Sequence, residues 1–130
     1  MKKTELSYGQ FVKRWIETFA GEVPKTKTEK HLLSDGCCIW HLFTYGLIGE
    51  NEYLSGDKAK KEFDRSDHSD CEYMIFAGSK EEIDSPYVTA DMLDRDGGIV
   101  EACFVGRDWS WTYIITHENG IGPFFYRLSK

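Results

Sequence analysis

The dipeptide Asn119-Gly120 stands between two runs of β-branched and aromatic residues, Ser110 to His117 and Phe124 to Leu128. Both turn residues tolerate φ > 0, the backbone conformation that a tight hairpin demands. The pair therefore folds the last part of the chain back on itself as two antiparallel strands. With Glu118 and Ile121 flanking a two-residue turn, Ile115 faces Phe124, Tyr113 faces Tyr126 and Trp111 faces Leu128. Those six side chains share the expected core face. Thr112, Ile114, Thr116, Phe125 and Arg127 take the other. Cross-strand aromatic pairs contribute ~0.2–1 kcal/mol each.

The elements upstream fit the same sheet. Ser7-x-x-Gln10 is a capping box, and Leu6 and Phe11 bracket it as a hydrophobic staple. Phe11, Val12, Trp15, Ile16 and Phe19 then recur at helical spacing, with Gly21 as the stop. Residues 37–45 are β-branched and aromatic and read as a strand, with helix as the alternative. A second helix runs from about Ser55, its expected cap, to Arg65, with Ala59 and Phe63 on its inner face and Lys58 set to pair with Glu62. Cys71 to Phe76 and Ile99 to Val105 are further strands. Thr89 caps a short helical turn between them. Hydrophobic residues make up 41% of 130 and aromatics 15%, enough for one core of ordinary size. The expected architecture is a single α+β domain over residues 1–130. Its antiparallel sheet has about five strands, with helices covering one face.

Charge is unevenly spread. Residues 1–30 hold seven basic and four acidic side chains. Residues 81–101 hold seven acids against Arg95 alone, a net of −6 that equals the net charge of the whole chain. Such a segment repels nucleic acid and attracts a basic protein. No apolar run approaches the ~18 residues of a membrane span, and no signal-peptide core follows Met1-Lys2-Lys3. The expected setting is the cytoplasm. There Cys37, Cys38, Cys71 and Cys103 stay reduced.

Candidate chemistry is sparse. Asp108 and His117 lie at opposite ends of one strand, ~30 Å apart at ~3.3 Å per residue, so a triad with Ser110 fails on distance. His117 and Glu118 are adjacent and point to opposite faces. The zinc spacings Cys-x-x-Cys and His-Glu-x-x-His are absent, and His68-x-x-Cys71 is the nearest approach. No metal or cofactor is expected. Of Trp109 and Trp111, one belongs to the core and the other, at the hairpin rim, is a binding anchor.

The string Arg107-Asp108-Trp109-Ser110-Trp111-Thr112-Tyr113, with Thr116-His117-Glu118 and Gly122-Pro123-Phe124-Phe125, resembles a bacterial family of small proteins classed as a domain of unknown function. Trp40-His41-Leu42-Phe43 and Gly56-Asp57-Lys58-Ala59 extend the likeness over roughly residues 37–128. The resemblance implies a small bacterial cytoplasmic protein and carries no catalytic residue with it. In size, acidity and composition the chain is also similar to immunity proteins of bacterial toxin systems.

Two functions are open at this point. The first is a non-enzymatic interaction domain, immunity- or regulator-like, that docks a basic protein on segment 81–101 and anchors it with Trp109. The second is a small enzyme or ligand binder whose pocket is lined by Trp40, His41, Trp111, His117 and Tyr126, which requires His41 and His117 to converge.

Overall fold

The computed structural model describes residues 2–24, 26, 43, 48–49, 52–78, 88–95, 99–116 and 122–128. Among these, six strands form one mixed sheet and three helices pack on it. In chain order they are β1 (Lys2–Lys3), α1 (Tyr8–Phe19), β2 (Tyr53–Ser55), α2 (Asp57–Arg65), β3 (Glu72–Gly78), α3 (Ala90–Arg95), β4 (Ile99–Val105), β5 (Trp111–Ile115) and β6 (Phe124–Arg127). Spatially the sheet runs β1-β3-β4-β5-β6-β2. Strands β3 to β6 make an antiparallel meander. The two N-terminal strands extend it at opposite edges, β1 parallel to β3 and β2 antiparallel to β6. The expected purely antiparallel sheet is thus corrected to a mixed one. Neither β1 nor β2 shows in the sequence, because two or three residues carry no alternation to read.

The helices cover both faces, which corrects the expectation of one covered face. Phe11, Val12, Trp15 and Phe19 of α1 pack on Cys103, Val105, Ile114 and Phe124. Ala59 and Phe63 of α2, with Ala90 and Leu93 of α3, pack on Ala102, Phe104, Trp111, Tyr113 and Phe125. Side chains alternate across a strand, so β4 sends Cys103 and Val105 to α1, and Ala102 and Phe104 to α2. All five residues of β5 are buried.

The capping box on α1 forms as its spacing predicts. Gln10 N–H donates to Ser7 Oγ at 3.2 Å, and Ser7 N–H donates to Gln10 Oε1 at 2.9 Å. The second helix starts later than expected. Ser55 belongs to β2, and Gly56 is the N-cap at φ 63°, a left-handed conformation suited to glycine. Glu62 is engaged by Arg65 and Arg127. Of residues 37–45 only Phe43 is described, and its backbone is helical. Its ring stacks on Phe124 at 5.0 Å between centroids.

The β5–β6 register departs from the expected one by a single residue. Trp111 pairs with Arg127, Thr112 with Tyr126, Tyr113 with Phe125 and Ile114 with Phe124. One residue of slip moves every side chain of a strand to the other face. Trp111, Tyr113, Ile115 and Phe125 therefore look toward α2, while Ile114, Phe124 and Tyr126 look toward α1. Because both faces are covered, either register buries aromatic residues, and the hydrophobic pattern alone does not choose between them. The Asn119-Gly120 turn itself lies outside the described residues.

One polar side chain sits in the middle of this core. Thr112 Oγ1 accepts from the Trp15 indole N–H at 3.0 Å and donates to the Phe104 carbonyl at 3.0 Å. The hydroxyl joins α1 to the sheet and satisfies the buried Trp15 N–H. Thr112→Val removes the acceptor while keeping the shape. The Trp15 N–H is then buried unpaired, and stability falls by ~1–3 kcal/mol. A urea titration followed by circular dichroism reads this as a lower midpoint with an unchanged slope.

Candidate functional site

The turn between β4 and β5 holds the motif that carries most of the family likeness. Gly106 N–H donates to Trp111 O at 3.0 Å, and Trp109 N–H donates to Gly106 O at 2.9 Å. Asp108 Oδ1 accepts from both the backbone N–H (3.1 Å) and the hydroxyl (2.7 Å) of Ser110. Trp109 has φ 57°, a left-handed conformation that costs a non-glycine residue roughly 1–2 kcal/mol. Burial of its indole offsets that strain. The ring is 5% exposed, lies 5.3 Å from Phe11 and stacks on Phe19 at 6.5 Å. The Arg14 guanidinium sits 4.3 Å above it.

Trp111 is also 5% exposed, on the opposite face. Its ring stacks on Phe125 at 5.4 Å and presses on Gly106, where an added Cβ would stand 2.5 Å from the indole nitrogen. The expectation that one of these two tryptophans is an exposed anchor is corrected: both belong to the core. Each residue of Asp108-Trp109-Ser110-Trp111-Thr112 has a structural role, and Arg107 lies exposed, 4.0 Å from Asp70.

Tyr126 is half-buried on the α1 face, and burial beside Glu52 and Glu22 pushes its phenol above the ordinary range. Trp111 and Tyr126 therefore sit on opposite sides of the sheet and cannot line one pocket. Trp40, His41, His117 and Glu118, the rest of the expected pocket, lie outside the described residues. Among the described residues, no three His, Cys, Asp or Glu side chains gather as a metal ion would require.

Within segment 81–101, Ile99–Glu101 open β4, and Val88 to α3 pack on the α2 side of the sheet. Thr89 Oγ1 accepts from Met92 N–H at 3.2 Å, the cap its sequence position predicts. At the first residue of the helix, Ala90 N–H donates to Asp64 Oδ1 of α2 at 2.8 Å. The Val88 carbonyl faces Nε2 of His68 at 2.5 Å, and Nδ1 of the same ring faces the Ser66 carbonyl at 2.9 Å. The ring stacks on Phe63, centroids 4.3 Å apart. Ser69 donates to Asp67 through its hydroxyl and its backbone N–H, and together these hold the Asp67 carboxyl below its ordinary range, with His68 adding to the effect. The sequence gives no sign of the Asp64 and His68 contacts, because their partners lie 26 and 20 residues away.

Cys71 and Cys103 are buried free thiols. Burial pushes both up to about 12, which leaves them protonated and unreactive at neutral pH.

Once these positions are fixed, comparison with known proteins adds one finding. A family model described as a domain of unknown function (DUF4275) matches residues 1–125. The chain belongs to this family. No curated protein and no solved structure matches it. DUF4275 is a family without an assigned activity, so membership places no catalytic residue on this sheet.

Two outcomes follow for the residues of this region. A thiol reagent at pH 8, with the sites read by peptide mapping, labels Cys71 and Cys103 only after unfolding. Trp109→Ala lowers stability by more than ~3 kcal/mol, through lost aromatic burial. Trp109→Gly loses about 1 kcal/mol less than the alanine variant, because glycine relieves the left-handed strain. Urea melts of the three proteins check the order.

Proposed function

We propose that this domain binds a basic protein partner in the cytoplasm and acts by occupying it, as an immunity or regulatory protein does, with no reaction of its own. The docking face is acidic segment 81–101 together with the acidic stretch 62–72. What supports this reading is a second acidic stretch, distant in sequence, that contacts the start of α3. Residues 62–72 carry Glu62, Asp64, Asp67, Asp70 and Glu72 against Arg65. The Asp64–Ala90 hydrogen bond and the His68–Val88 contact bring that stretch against Val88 and Ala90, at the start of α3.

Glu62 pairs with Arg127, Asp64 caps Ala90, Asp67 holds Ser69, and Glu72 accepts from Thr4 Oγ1 at 2.7 Å. These carboxylates are tied into the fold. In the adjoining segment, Asp91 lies exposed in the first turn of α3. Long-range attraction governs encounter with an oppositely charged protein and fades with added salt. With both hairpin tryptophans in the core, recognition rests on charge and on segment 81–101 itself, and not on Trp109.

The test uses the full chain as bait in an extract of the cells that express it, beside a variant with Glu81, Glu82, Asp84 and Asp91 changed to Lys. Basic proteins are expected on the wild-type bait at low salt, released as salt rises, and absent from the variant. Retention that ignores both salt and charge reversal overturns the proposal.

A further inference from the structure

Among the described residues, the exposed Arg14 guanidinium meets no carboxylate and donates to no carbonyl. Arg65 and Arg127, by contrast, pair with Glu62, and Arg107 lies against Asp70. The Arg14 guanidinium lies 4.3 Å over the Trp109 ring instead. Glu17, three residues on, stands at a spacing that helix ion pairs use, yet the guanidinium takes the indole.

That indole is a fixed platform. Trp109 N–H is bonded to Gly106 O, and the next residue, Ser110, is tied to Asp108 by its backbone and its hydroxyl. The ring packs on Phe11 and Phe19, and with 5% of the residue exposed, the core and the guanidinium cover it between them. A cation over an aromatic face is held there by the ring's own charge distribution. A stacked arginine therefore has its plane fixed, while its N–H edge stays in water as a rigid fork. Such a fork takes a carboxylate in two parallel hydrogen bonds. Little side-chain freedom remains to be lost when it does so.

We propose that Arg14, held on Trp109, is the docking point for a carboxylate of an acidic protein segment that crosses the outer face of α1. Charge favours this occupant. Residues 1–30 are net basic within a chain of net charge −6, and Lys13, next to Arg14 in sequence, is also exposed. A carboxylate brings one negative charge to one guanidinium. A phosphate ester brings nearly two, and the exposed Glu17 and Glu22 oppose the second. Nucleic acid, a polyanion, is repelled by the chain's net charge. α1 lies on the opposite face of the sheet from α2 and α3. This surface thus takes the opposite charge from the docking face proposed above, on the other side of the molecule, and does not rest on that reading.

The test is a ¹⁵N titration of the full chain with an acetylated peptide of glutamates, read at the Arg14 Nε–H and the Trp109 indole N–H. Both signals are expected to move together and to saturate. The matching glutamine peptide is expected to move neither. Arg14→Lys keeps the charge and loses the fork. It is expected to bind the glutamate peptide roughly tenfold more weakly, read at the Trp109 signal, the size of one charge-assisted hydrogen bond. A still Arg14 signal, movement with the glutamine peptide, equal movement at Arg14, Arg107 and Arg127, or equal affinity in the two proteins overturns the proposal. Tighter binding of a phosphoserine peptide of the same length overturns the choice of a carboxylate. An Arg14 shift that grows with protein concentration before any peptide is added gives the face to a second copy of this chain, and overturns the acidic partner too. The wild-type titration needs no variant, so a poorly folding Arg14→Lys leaves the proposal open to refutation.

Discussion

A strand closed to water on both faces sets the terms for the rest of this molecule. β5 lies between α1 and α2, and all five of its residues are buried. Such a strand is apolar throughout unless each polar group it carries is satisfied within the core. Thr112 meets that condition: its hydroxyl takes the Trp15 N–H and gives its own proton to Phe104 O. The arrangement fixes how α1 sits on the sheet, because an indole N–H has one direction in which to donate. The α1 aromatic stripe, the depth of Trp109 and the alternation of β4 then follow from that placement.

The opposite layer is organised by ring stacking in place of a polar contact. Phe63 lies between the His68 ring and Tyr113, with centroids 4.3 and 4.4 Å away. A three-ring stack aligns α2 with β5 and carries the orientation of the sheet outward to the surface loop. The N-terminus of α3 attaches where that stack ends. One side of the sheet is thus anchored by a buried hydroxyl and the other by a column of rings that terminates in a titratable group.

Much of this was legible in the sequence, and the reasons differ between elements. The α1 cap was readable because Ser7 and Gln10 meet within one helical turn. β4 was readable because Ile99 to Val105 is bounded by glycines on both sides. The hairpin strands were readable, but their register was not, since covered faces on both sides remove the polar residues that would betray a slip. The second helical layer was hidden for the same reason. Phe125 was expected on an outer face and packs instead against Trp111. Trp109 shows the limit most clearly: tryptophan is rare in left-handed turns, and nothing local says that α1 lies over it. The loop contacts of Asp64 and His68 were invisible, because each depends on a backbone group brought near by the packing of α3.

The distribution of indoles gives the molecule an internal pair of optical reporters. Trp15 and Trp109 lie in the layer under α1, and Trp111 lies in the layer under α2. Emission from a tryptophan moves to the red when water reaches it. Replacing Trp111 and Trp40 together therefore leaves only the light of the α1 layer. Whether the two halves of the sandwich open together or in turn can be watched in a single cuvette, without attaching any dye.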